Sequence, residues 1–265
     1  MTGRKPPELL VRVAVGLALM ALALAAVVLG GWIFWIVVAA MALIMIAEWV
    51  DLVGARALDK RAAMLTMVVP LTVMSPATWG PGWFALGIVG ASAVFVAAIF
   101  KPRTLGAGML YVGLPVLALL AIRARPEFGL LYTLWTLALV WTCDTGAYFA
   151  GRFIGGPKLA PVISPNKTWA GLIGGVALAT MFAIILHWQW GLAWRLTLAT
   201  PLLALLAQGG DLFESWLKRR AGMKDSGTLF PGHGGVLDRL DGLVPVAPVA
   251  AFLIIVVPLL YVWRP

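Results

Sequence analysis

Residues 32–50 read WIFWIVVAAMALIMIAEWV, and residues 9–29 before them are apolar almost throughout. A membrane-crossing helix needs about 20 mostly apolar residues. Both stretches meet that length. Seven more runs follow at 62–79, 83–100, 104–122, 129–149, 168–187, 194–214 and 243–262, separated by short loops rich in Gly and Pro. The spacing predicts an all-α integral membrane protein of about nine transmembrane helices. Pro70 and Pro76 interrupt the third run, and acids sit at the ends of 129–149 and 194–214.

Composition points the same way. Of 265 residues, 62% are hydrophobic and 12% charged, against about half and a quarter in a soluble domain. One small core cannot hide that apolar surface, so lipid is the expected solvent. The first run lacks a convincing cleavage site and is too long for a signal-peptide core, so it reads as a retained span. Cys143 is the one cysteine. It cannot form an internal disulfide, and there is no CxxC or Cys/His metal pattern.

The formal charge is +9. The basic residues lie between apolar runs rather than on one helical face, so the expected partners are the lipid bilayer and anionic substrates, with no nucleic acid. With nine spans, sixteen of the 20 basic residues share a side with the N-terminus; Arg123, Arg125, Arg195 and Arg264 take the other. Positive charge favours the cytoplasmic side. The N-terminus is therefore expected in the cytoplasm, together with the polar regions 144–168 and 211–241.

Those regions hold residues that apolar packing does not explain. A carboxylate at the bilayer centre costs about 2.5–3.5 kcal/mol on insertion scales. Yet six of the 11 acids, Asp144, Asp211, Glu214, Asp225, Asp238 and Asp241, lie in or beside the last three spans. Asp211, Glu214, Ser215 and Lys218 share one helical face by spacing. That face is expected to line a wet cavity or to lie at the interface. The alternative is plain: such acids also mark a membrane surface, and Lys218 can simply pair with Glu214.

Next comes Pro231-Gly232-His233-Gly234-Gly235, then Asp238-Arg239-Leu240-Asp241. Glycines let backbone approach a ligand closely. Two carboxylates three residues apart repel unless a cation or base lies between them, and magnesium favours one or two carboxylates plus phosphate oxygens. Lys218, Arg219, Lys224 and Arg239 supply charge for phosphate. This mixture suggests phosphoryl or nucleotidyl transfer. His233 reads equally well as a turn residue. A second cluster joins Asp144-Thr145-Gly146 to Ser164-Pro165-Asn166-Lys167-Thr168. Ser164, Lys167 and Thr168 precede a helix, where free N–H groups favour anions, or where they merely cap it.

The stretch from Ser215 to Asp241 resembles the signature of phosphatidate cytidylyltransferases, the CDP-diacylglycerol synthases, at every fixed position. Gly210-Asp211-Leu212-Phe213-Glu214-Ser215 and the segment from Asp144 to Arg152 are similar to that family too. The likeness is strong over residues 140–245 and generic over the first 100. One departure is Ala170, where the family commonly has Glu.

The resemblance implies transfer of CMP from CTP to phosphatidate, giving CDP-diacylglycerol and pyrophosphate in phospholipid biosynthesis. It implies Mg2+, with K+ sharing the site, and a homodimer in the bacterial plasma (inner) membrane with the active site facing the cytoplasm. On matching positions it makes Asp211 and Asp238 the metal ligands. Lys167, Lys218, Arg219, Lys224 and Arg239 join them as candidate catalytic residues. Candidate substrate-binding residues are Ser215, Asp225, His233, Gly234, Gly235, Asp241, Asp144 and Ser164. Residues 1–125 are expected to form a scaffold for lipid and dimer, and 126–265 the catalytic region. Three rivals are a transporter, another membrane phosphotransferase and an inactive scaffold. No internal repeat supports the first, and the CDP-alcohol phosphotransferase pattern is absent.

Overall fold

The structure, a computed structural model, describes residues 8–227 and 234–262. Helices α1 (Glu8–Leu29), α2 (Gly31–Leu52), α3 (Ala57–Val73), α4 (Trp83–Ile99), α5 (Thr104–Arg123) and α6 (Gly129–Phe153) come first. A hairpin of β1 (Lys158–Ala160) and β2 (Ser164–Thr168) leads into α7 (Trp169–Trp190) and α8 (Trp194–Arg220). A single turn, α9 (Leu237–Leu240), precedes α10 (Leu243–Ala251), a π-helical turn at Phe252–Val256 and α11 (Val257–Val262).

Apolar runs become helices because a helix satisfies its own backbone polar groups, which lipid cannot do. Among the described residues, four helices, α2, α5, α7 and α8, are long and apolar enough to cross a membrane. Shorter apolar helical stretches cover Met20–Leu29, Trp83–Ile99 and Leu243–Leu259. Helix α6 is more polar, and its threonines turn inward on the helix itself. Thr133, Thr136, Thr142 and Thr145 each donate to the carbonyl four residues earlier, at 2.6–2.8 Å. That leaves no hydroxyl among them seeking water.

Boundaries shift where local chemistry intervenes. The run 62–79 is helical only to Val73, continuing past Pro70 to a last bond from Met74 N to the Pro70 carbonyl; Pro76 then disfavours helical backbone at Ser75. Helix α6 continues past 149 to Phe153, and α8 past 214 to Arg220. The hairpin between α6 and α7 is an addition: Lys158 pairs with Thr168 and Ala160 with Ser164. Thr168 then caps α7, its hydroxyl accepting from Gly171 N at 3.0 Å.

Helix α5 is buried around most of its circumference, including every residue from Pro115 to Leu120, and packs against α2, α4 and α10. The closest pair is α6 with α7. A Cβ on Gly146 would lie 2.7 Å from the Gly174 carbonyl, and one on Gly175 would lie 2.6 Å from the Cys143 carbonyl. Small residues let membrane helices approach this closely. Leu65, Val94, Leu198 and Leu202 point outward from other helices. This seam and the hairpin together fix Asp144, Lys167 and α8 side by side.

Candidate active site

The polar centre begins on α8. Gln208 is buried within an otherwise apolar stretch. Its amide nitrogen donates to Asp144 Oδ1 at 3.1 Å, and its amide oxygen accepts from Lys167 Nζ at 3.1 Å. Lys167 also meets Asp211 Oδ2 at 2.7 Å, and Ser215 donates to Asp211 Oδ1 at 3.3 Å. One glutamine thus ties an α6 acid to the β2 lysine, and that lysine ties both to α8. A cavity of about 650 Å³ opens on this group, lined by Asp144, Tyr148, Arg152, Lys167, Gln208 and Asp211 among others. That is large enough for a small-molecule substrate.

Two turns further along α8 lies a second group. Lys218 Nζ sits 2.5 Å from Asp238 Oδ1 and 3.3 Å from Glu214 Oε1. Among the described residues, neither oxygen of the buried Glu214 carboxylate has a hydrogen-bond partner. Asp238 Oδ2 accepts from the N–H groups of Ser226 at 2.9 Å and Gly235 at 2.8 Å. Burial alone would raise the Asp238 pKa. The Lys218 ammonium and the Gly235 and Ser226 amides outweigh it and hold the carboxyl below its usual range.

Asp241 goes the other way. Burial, and next the charge of Asp211, push it up to about 7, with Asp144 adding to the rise; the Gly242 N–H at 2.7 Å and Lys218 offset part. Negative charge is therefore in excess around Asp211, Asp144 and Asp241. Oxygen donors crowded this way suit a hard cation. Among the described residues, no three His, Cys, Asp or Glu side chains are already gathered around one metal position. Substrate oxygens would have to complete such a shell, which is how magnesium is usually bound beside phosphates.

A family model described as the Cytidylyltransferase family matches residues 10–257, which include both polar groups. The chain belongs to the cytidylyltransferase family. It is 40% identical over 208 residues to the phosphatidate cytidylyltransferase of Brucella suis, covering 75% of this chain and 68% of the relative. To that of Staphylococcus epidermidis it is 36% identical over 227 residues, covering 82% and 78%. To that of Staphylococcus haemolyticus it is 45% identical over 148 residues, covering 55% and 56%.

In this cytidylyltransferase-family chain the expected site residues divide. Asp144, Lys167, Asp211 and Ser215 come together, as do Lys218, Gly235 and Asp238. Arg219, Lys224 and Asp225 are exposed beyond both groups. Ser164 pairs in the hairpin opposite Ala160. Arg239 is exposed at the edge of an apolar cavity bounded by α1, α2, α5 and α6. His233 lies outside the described residues. Gly234 and Gly235 have a reason beyond ligand approach. Gly234 has φ +76°, and a Cβ there would lie 2.6 Å from Asp238 Oδ2. A Cβ on Gly235 would strike Ser226 and Glu48.

Sequence reading missed Gln208, Ser226 and Glu48. Gln208 lies one turn before Asp211, and a lone amide in the run LLALLAQGGD was the available signal. Glu48 is a lone acid in the apolar run 32–50, but the loop it meets is about 180 residues away in sequence, so its partner was not legible.

Proposed function

We infer that this protein transfers CMP from CTP to phosphatidate, giving CDP-diacylglycerol and pyrophosphate, in phospholipid biosynthesis. The observation that carries this is the family match across 10–257, within which both polar groups fall. A phosphate oxygen of phosphatidate attacks the α-phosphorus of CTP. The bond from that phosphorus to the α–β bridging oxygen breaks, and pyrophosphate leaves with the electron pair. The attacking phosphate is already anionic, so the main barrier is repulsion between two polyanions.

Lys167 and Lys218 stand within the site to offset that charge; Arg219 and Lys224 are assigned the same role from outside the two polar groups, and Arg239 from the edge of the apolar cavity. Asp211 and Asp238 would hold Mg2+, with K+ alongside, and Asp144 and Asp241 add negative charge beside them. Such a cation supplies Lewis acidity and aligns phosphate oxygens. Ser215, Asp225, His233, Gly234, Gly235 and Ser164 are assigned to substrate positioning.

We assign nine spans with the N-terminus in the cytoplasm of a bacterial inner membrane. Contacts between helix ends support that alternation. Arg123, ending α5, donates to Val27 and Val28 carbonyls at the end of α1. Trp49, near the end of α2, donates to the Thr104 carbonyl at the start of α5. Exposed Trp79, Trp83, Trp188, Trp190 and Trp194 fall on the opposite side from the site in this topology, as an interfacial belt would. The helices before residue 125 are assigned to lipid and to a homodimer contact. The test of the reaction is incubation of purified protein with phosphatidate, labelled CTP and magnesium. A labelled lipid and released pyrophosphate are expected; labelled lipid absent at every magnesium level would overturn the reading.

A further inference from the structure

We propose that Glu48 is a positioning residue for this reaction, anchoring the loop that presents Asp238; the proposal rests on the reaction inferred above. Glu48 lies near the C-terminal end of α2 and is buried. Its Oε1 accepts from Val236 N at 2.9 Å. Its Oε2 accepts from Leu237 N at 2.8 Å and from the Ser226 hydroxyl at 3.2 Å. All three donors belong to the signature stretch. None belongs to α2 itself.

The fit extends to the backbone. A Cβ on Gly227 or on Gly235 would lie 2.6 Å from Glu48 Oε1. Only residues without side chains let the loop come so near. Two carboxylates then divide the loop's donors. Asp238 takes the amides of Ser226 and Gly235; Glu48 takes the Ser226 hydroxyl and the amides of Val236 and Leu237. Removing Glu48 would leave three donors unmet beside Asp238, so the Asp238 carboxylate would lose its fixed aim.

Stability of α2 does not explain this acid. A buried carboxylate is costly without donors, and a negative charge near a helix C-terminus opposes the helix dipole. Its platform is rigid: the next residue, Trp49, is held to Thr104 O at 3.0 Å. Residues that hold a metal-binding group in place typically matter 10–100-fold for affinity or activity.

The test uses the full chain in detergent. Glu48→Gln keeps size but turns one acceptor into a donor facing a backbone N–H. Amide hydrogen exchange should rise in peptides covering 226–240 and stay unchanged in α5. The kcat/KM for CTP should fall about tenfold or more, the magnesium concentration for half-maximal rate should rise, and Glu48→Asp should recover part of both. Should Glu48→Gln fail to fold, Ser226→Ala removes one anchor without touching α2 and should shift the same readouts less. Exchange at 226–240 equal to wild type in the folded variant overturns the anchor, whatever the activity. Raised exchange with an unchanged magnesium requirement overturns its role in the reaction. A wild-type chain that makes no labelled lipid sinks the reaction instead, and the exchange data still decide the anchor.

Discussion

Lys167 bridges two residues of α8, meeting Asp211 and both oxygens of Gln208. Lys167→Met keeps the stem and removes the charge. Turnover should fall about 100-fold or more in the labelled-lipid assay, with the protein still monodisperse on size exclusion. Asp238→Asn removes a carboxylate that Lys218 and two amides hold in place. It should also cost orders of magnitude in rate, and near-wild-type turnover would refute the cation assignment. The sequence made part of this visible. Asp211 and Ser215 are one helical turn apart, and they do meet. The link from Lys167 to Gln208 spans 41 residues and depends on how α6, α7 and the hairpin pack, which no local spacing encodes.

At the level of elements, apolar run length predicted most helices, because run length and backbone satisfaction govern insertion. The hairpin 158–168 escaped notice. Its strands are three and five residues long, and Pro161 and Pro165 break any alternation. The α6–α7 seam was equally hidden, since glycine in a membrane run reads as a weak helix former until its neighbour is known. Gly175→Leu should force these helices apart and lower Tm, at a cost of about 1–3 kcal/mol or more. Activity should fall in parallel, because Asp144 and Lys167 flank that seam. Thr168→Ala should cost about 1 kcal/mol through loss of the α7 cap, measured by thermal unfolding in detergent.

For the whole molecule, alternation of charge in the sequence and the pairing of helix ends in the fold both support the proposed topology. Cys143 is buried, so a Cys143→Ala background suits accessibility mapping. Cysteine placed at Arg219 should react with an impermeant thiol reagent only from the cytoplasmic side, and at Arg125 only from the other. The reverse pattern would invert the orientation. Helix α8 has 27 residues, a length of about 40 Å at 1.5 Å per residue, whereas bilayer hydrocarbon is about 30 Å thick. Starting from Trp194 in that topology, roughly 10 Å of rod would project beyond the oily slab; Asp211 would stand just inside the boundary and Glu214 to Arg220 would extend past it. Nucleotide arriving from water and lipid phosphate standing in its own leaflet would then meet at one depth, without either molecule being lifted out of its native phase.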